Sequence, residues 1–237
     1  MSESIEIDWA QASTPPPPPE EFLSAAELER LAGMRFPRRR AEWLLGRWTA
    51  KKLLRKVHSV LARLPLKDWS VANAANGQPF ACLDGVRLAG CLSISHRSGR
   101  ATCAWTPASD VGLGIDLEQV EPRTEAFVRD YFTPAEQALV AGEQRQRDTV
   151  LVWSAKEAML KALGQGLRMD TRAVEILRIA NHQDADIWNG LQIRSARGVG
   201  LNWWAGWFEA GDFVCTLAAC APNFDPKPAR IEEIQWE

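Results

Sequence analysis

"GLGIDLE", residues 112–118, reads as a strand that leaves an apolar interior and ends on two acids. Successive side chains of a strand point to opposite faces, so Asp116 and Glu118 share one face while Leu113, Ile115 and Leu117 take the other. Two carboxylates so placed repel one another unless a cation sits between them. The strand end is therefore either a solvated edge or half of a cation site, and the flanking sequence has to decide.

Working toward the N-terminus, "TPASD" (106–110) is the best boundary between two lobes. Before it, "CLSISHRSGRATCAW" (91–105) predicts two strands joined by a Ser-Gly turn, with His96 closing the first. A long helix is predicted over about 37–63. It has Trp43, Ala50, Leu54, Val57 and Leu61 on an apolar stripe, and Arg47, Lys51 and Arg55 form a cationic row beside it. "SAAE" (24–27) is a capping box for a helix starting near Ser24. "STPPPPPEEF" (13–22) favours polyproline II, so residues 1–20 are expected to be an acidic, proline-rich tail or peripheral strand. The expected division is tail 1–20, N-terminal lobe 21–108 and C-terminal lobe 109–237.

Toward the C-terminus, "QVEPRTEAFVRDYFTPAE" (119–136) reads as a loop in which Thr133 caps a helix through Glu136. A strong helix follows over about 148–163, closed by Gly164. "GLNWWAGWFEAGDFVCTLAAC" (200–220) reads as a hairpin turning at "EAGD". No repeat stands out between the two halves.

The 237 residues are 46% apolar, include 11 tryptophans and carry a net charge of -2, which describes a folded chain with an ordinary polar surface. No overall electrostatic pull toward nucleic acid or membrane is expected. The acidic start lacks the pattern of a secretory signal, and no apolar run approaches the ~18 residues of a membrane span, so the expected location is the cytoplasm. Five cysteines without a CxxC pair argue for reduced thiols. With three histidines in the chain, oxygen ligands and a hard cation such as Mg2+ suit the inventory better than a zinc centre.

In "WSAKEAMLKALGQGL" (153–167), Glu157 and Lys161 stand four apart on one helix face. On an exposed face this would be an ordinary Glu–Lys pair worth a few tenths of a kcal/mol. The helix is too apolar for that face to be fully exposed, and a buried carboxylate calls for a partner, so Glu157 is a candidate third ligand beside Asp116 and Glu118.

These segments together resemble the 4'-phosphopantetheinyl transferases, specifically the larger Sfp-type members. "GIDLE" followed after about 40 residues by "WSAKEAMLKALGQGL" is similar to the paired family signature, and "SISHRSG", "FTPAE" and "LLGRWTAKKLL" agree with further family elements. The resemblance implies an α+β fold of two similar lobes in a pseudo-twofold arrangement, each a small antiparallel sheet packed with helices, with coenzyme A in the cleft between them. It implies a monomeric enzyme that moves the 4'-phosphopantetheine arm of coenzyme A to a serine of an apo acyl or peptidyl carrier protein and releases 3',5'-adenosine bisphosphate. Under it Asp116, Glu118 and Glu157 hold Mg2+, Lys161 contacts the phosphates, His96 meets a phosphate of coenzyme A, and Lys51 with Arg47 hold the 3'-phosphate. Asp116, Glu157 and Lys161 are the expected catalytic set. The serine proton goes either to Glu157 or to a water on the metal. Gln78 stands in "GQP" where many relatives have lysine and is left out of the site. Phe127, Tyr131 and Phe132 offer a carrier-docking face, with core packing the expected fate of at least two of them.

Two other readings compete. A carboxylate-metal phosphohydrolase or nuclease would use the same acids to cleave a phosphodiester. A nucleic-acid-binding module would use the basic helix between Arg35 and Lys56.

Overall fold

A computed structural model describes residues 5–180, 188–196, 200–222 and 228–233 of the chain. In chain order the elements are β1 (Ile5–Ala12), α1 (Pro19–Phe22), α2 (Ala25–Ala32), α3 (Pro37–Val57), β2 (Trp69–Asn73), β3 (Pro79–Leu83), β4 (Val86–Arg87), β5 (Cys91–Arg97), β6 (Arg100–Thr106), β7 (Gly112–Gln119), α4 (Glu125–Tyr131), α5 (Pro134–Leu139), α6 (Arg145–Ala162), β8 (Val174–Ile179), β9 (Asn189–Ser195), β10 (Asn202–Ala210), β11 (Phe213–Ala221) and β12 (Pro228–Glu233). The class is α+β, with small antiparallel sheets packed by helices. The chain divides into two compact units: one contains Glu6–Ser109 together with β12, and the other begins at Asp110.

In the first unit the main sheet runs β12-β1-β6-β5, and β2, β3 and β4 form a second sheet. Helix α2 starts at the expected capping box, with Ser24 accepting the Glu27 N–H and Glu27 answering through its side chain. Helix α3 presses Ala50, Leu53 and Leu54 onto Ala10, Trp69, Cys103 and Trp105. It is shorter than expected. It stops at Val57 because His58 leaves helical backbone angles, and a single 3-10 turn covers Ser59–Leu61.

The tail assignment for residues 1–20 is corrected in part. Residues 5–12 are an inner strand, paired with β6 so that Asp8 lies opposite Trp105 and Ala10 opposite Cys103. Ile7, Trp9 and Ala10 are buried there. The alternation in "IEIDWA" favours a strand, but its partner lies about ninety residues away, where local patterning has no reach.

In the second unit the sheet order is β7-β11-β10-β9-β8. The β10–β11 hairpin turns at Gly211, where φ is +68°, within the expected "EAGD". The loop expected before Phe132 contains helix α4, which Thr124 starts by accepting the N–H of Phe127.

Helix α6 lies against β7 and β11, and two glycines of β7 set the closeness of that contact. A Cβ on Gly114 would fall 1.9 Å from the carbonyl oxygen of Ala158, and one on Gly112 would fall 2.4 Å from that of Ala162. Backbone oxygens of a packed helix cannot swing aside as a flexible side chain can, so only glycine permits this approach. Gly114→Ala is expected to destabilise the chain by about 2–3 kcal/mol through overpacking. Urea unfolding measures it, and a midpoint equal to that of the unaltered chain would contradict the packing.

The structure also reveals a repeat that the sequence hides. Strands β1, β6 and β5 are neighbours in the first unit as β7, β11 and β10 are in the second, with a capped short helix and then a long helix after the first strand each time. Trp48-Thr49-Ala50-Lys51 on α3 answers to Trp153-Ser154-Ala155-Lys156 on α6. The likeness is confined to a few core positions, which is why it does not stand out along the chain.

Candidate functional site

The motif on α6 divides by burial as well as by face. Ser154 and Lys156 point inward and are fully buried. Ser154 Oγ shares a hydrogen bond of 2.9 Å with Thr216 Oγ1 on β11. Lys156 Nζ lies 2.7 Å from Glu136 Oε2 and donates to the carbonyls of Thr171 and Val174. Glu136 in turn accepts the N–H of Thr133 on one oxygen and that of Ile176 on the other. Every charge in this cluster is matched, as burial requires. Burial pulls the Lys156 ammonium below its usual range, and Glu136 opposes the shift.

Lys51 occupies the same arrangement in the first unit. Its Nζ is paired with Glu27 and donates to the carbonyls of Phe22 and Leu66, while Glu27 Oε1 accepts the N–H of Val71. Lys51 sits 5.9 Å from the Phe22 ring, as Lys156 does from Phe132. Lys51 is fully buried, so the expected contact with a 3'-phosphate is corrected: its donors are already engaged inside the unit. Arg47 is 6% exposed, donates to Asn73 Oδ1 at 3.2 Å and lies over the Trp43 ring at 4.8 Å. Burial lowers its pKa to about 10, with Glu27 opposing. Arg47 and Lys51 therefore do not form a displayed cationic row, whereas Arg35, Arg38, Arg39 and Lys56 of the same stretch stay exposed. His96 is the penultimate residue of β5, with Nδ1 3.9 Å from Glu42 Oε2.

The side of α6 opposite Lys156, which Ser154 also shares, meets the end of β7. Lys161 Nζ lies 2.7 Å from Asp116 Oδ1 and 2.9 Å from the carbonyl oxygen of Ile115. Asp116 is 2% exposed, so it is not on a solvated strand end. Glu118, on the same strand face, accepts a hydrogen bond of 3.1 Å from Arg123 Nη2. Burial pushes the Glu157 carboxyl up to about 7; the charge of Asp116 adds to this and Glu118 adds less, against Lys161 and Arg123. For Lys161 burial acts downward, but Asp116, Glu157 and Glu118 outweigh it and hold the ammonium above its ordinary value. The structure thus brings Asp116, Glu118, Glu157 and Lys161 into one electrostatic neighbourhood.

Arg123 is the site residue that sequence reading missed. It lies in the loop leaving β7, five residues beyond Glu118, where a basic side chain can fold back on the acid. Its guanidinium is 5.4 Å from the Phe127 ring centroid. Phe127 and Tyr131 both pack edge-on against Trp153, and Phe132 is buried in the core, so two of the three candidate docking rings are committed to packing and Tyr131 stays 42% exposed.

Among the described residues, no group of three or more His, Cys, Asp or Glu side chains is arranged to hold a metal ion as it stands. Lys161 and Arg123 instead balance Asp116 and Glu118. The donor chemistry nevertheless suits a hard divalent cation, because Asp116, Glu118 and Glu157 are oxygen donors in one neighbourhood, and the charges of Asp116 and Glu118 that push the Glu157 carboxyl up are ones a cation would offset. In the first unit Asp8 stands at the place of Asp116, but Ala10, Lys52 and Lys56 stand where the second has Glu118, Glu157 and Lys161.

Comparison with known proteins agrees with the location. Residues 112–218 match the family model of the 4'-phosphopantetheinyl transferase superfamily. The chain is 31% identical over 153 residues to the 4'-phosphopantetheinyl transferase HetI of Nostoc sp., a match covering 61% of each protein. Among solved structures, it is similar to the Thermotoga maritima holo-[acyl-carrier-protein] synthase, with a TM-score of 0.38, 21% identity, and coverage of 47% of this chain and 64% of that one. It is also similar to the Mycobacterium tuberculosis acyl carrier protein synthase, with a TM-score of 0.34, 24% identity, and coverage of 47% and 96%. No helix among the described residues is long and apolar enough to cross a membrane.

Proposed function

We propose, from the match of residues 112–218 to the family model of the 4'-phosphopantetheinyl transferase superfamily, that this chain moves the 4'-phosphopantetheine arm of coenzyme A onto a serine of an apo carrier protein. The observation that carries the reading is the meeting of Asp116, Glu118, Glu157 and Lys161 where β7 crosses α6. The reaction joins the serine oxygen to the β-phosphorus of coenzyme A and breaks that phosphorus's bond to the bridging oxygen. Adenosine bisphosphate leaves with the electron pair.

Charge on the diphosphate and a proton on the serine are the two problems for the protein to solve. Lys161, held at Asp116, presents a cation to the phosphates. Glu157 is poised near neutrality, which suits a group that accepts the serine proton. Asp116, Glu118 and Glu157 would hold Mg2+, which when bound supplies Lewis-acid neutralisation of the diphosphate. His96 is retained as a contact to a phosphate of coenzyme A. Lys51 is assigned to structure instead.

The test is to incubate the protein with coenzyme A, Mg2+ and apo carrier domains of fatty-acid, polyketide and peptide type, and to weigh each carrier. A mass gain equal to the phosphopantetheine arm, with adenosine bisphosphate released, supports the reading. Unmodified carriers throughout would overturn it. Phosphodiester cleavage without any protein modification would point to the phosphohydrolase.

A further inference from the structure

Two cations serve the site, and the transfer as described uses only Lys161. Arg123 has three properties that a simple surface ion pair would not combine. Its Nη2 is fixed on Glu118 Oε2 at 3.1 Å, with the two side chains only 20% and 13% exposed. Its guanidinium lies against Phe127, with 5.4 Å from Cζ to the ring centroid. Its Nε–H is buried and donates to no group among the described residues.

A guanidinium is planar, with donors at set angles, so pinning one amine and one face fixes where the remaining N–H groups point. Burying one of them without an acceptor is unfavourable unless an acceptor arrives during function. Lys161 is differently placed, being committed to Asp116 and the Ile115 carbonyl. The acids also outnumber the two cations in this neighbourhood, and Arg123 is one of the groups that oppose the upward shift of Glu157, so it lies within electrostatic reach of the reacting region.

We propose that Arg123 is a substrate ligand, which keeps Nη2 on Glu118 and donates its Nε–H to an anionic oxygen of the diphosphate of coenzyme A. The inference rests on the transfer reading above. Arg123 thereby ties the position of Glu118 to that of the substrate, and the ring of Phe127 holds the guanidinium in the orientation that serves both.

Titration calorimetry with coenzyme A tests this, first in chelator without metal and then with Mg2+. Arg123→Gln is expected to weaken coenzyme A binding about 10-fold in both conditions, to raise KM for coenzyme A by a similar factor and to lower kcat less. Its melting temperature should stay near that of the unaltered chain. Arg123→Lys keeps the charge but loses the fixed Nε–H, and is expected to fall between the two. Glu118→Gln separates a ligand from a mere support for Glu118. If Arg123 acts only through that acid, both glutamine variants will leave metal-free affinity unchanged, and the proposal is overturned. Should Arg123→Gln fail to fold, undiminished affinity in Arg123→Lys overturns it instead. A chain that binds no coenzyme A at all defeats the transfer reading and this inference together. A chain that binds it equally well with and without Arg123 defeats this inference alone.

Discussion

Lys156→Met is expected to destabilise the chain by about 3–5 kcal/mol, because it strips the cation from Glu136 and leaves a carboxylate buried among apolar neighbours. Two backbone donors, from Thr133 and Ile176, remain on Glu136, but neutral N–H groups do not replace a full positive charge. The double variant Glu136→Gln with Lys156→Met should lose clearly less than the sum of the single losses, since each single change strands its partner. Denaturant unfolding of all four proteins gives the coupling directly. The matching change Lys51→Met should cost less, because Arg47, with Nε 3.8 Å from Glu27 Oε1, stays beside the acid. A 3'-phosphate contact, which the family resemblance implies for Lys51, would instead chiefly raise KM for coenzyme A. If Lys51→Met folds as stably as the parent and only KM rises, the buried assignment is wrong.

Glu157→Gln should separate stability from activity. Transfer to a carrier is expected to fall at least about 100-fold, since on the proposed function the side chain would lose both the charge that holds the metal and the ability to take a proton. Stability should move the other way. The carboxyl titrates near 7 in the folded chain and near 4.5 in an unfolded one, so between those values the folded state holds a proton that the unfolded state has released. Stability therefore falls as pH rises through this window, and the loss is complete above about 7. A glutamine has no such penalty. In chelator at pH 8 the variant should be about 1–2 kcal/mol more stable than its parent, and near pH 4 the two should converge. Melting curves across that range decide it. A parent whose stability rises between pH 5 and 7 relative to the variant would show that Glu157 is not destabilised by its neighbours.

The two results have a common source in how α6 is used. One face carries Lys156 into the core against Glu136, and the other carries Ser154 onto Thr216 and turns Glu157 and Lys161 toward the end of β7. Spacing along the helix was enough to pair Glu157 with Lys161, because residues four apart share a face whatever surrounds them. It was not enough to tell which lysine serves chemistry. Lys156 and Lys161 look alike in the chain, and their fates are set by Glu136 and Asp116, each brought to the helix by a different part of the fold.

Capping boxes at Ser24 and Thr133, the hairpin at Gly211, and the glycine after α6 were legible because each is a contract between residues a few places apart. Helix α4 went unread although its cap is equally local, since Thr124 sits in a run dominated by charge and proline. The inner place of β1, the burial of Arg47 and Lys51, and the fold-back of Arg123 onto Glu118 lay beyond such signals. Strand pairing and burial depend on partners tens of residues distant, and an isolated basic side chain carries no mark of which acid it will meet. Local chemistry therefore named the acids of the site, while long-range packing chose the cations that face them.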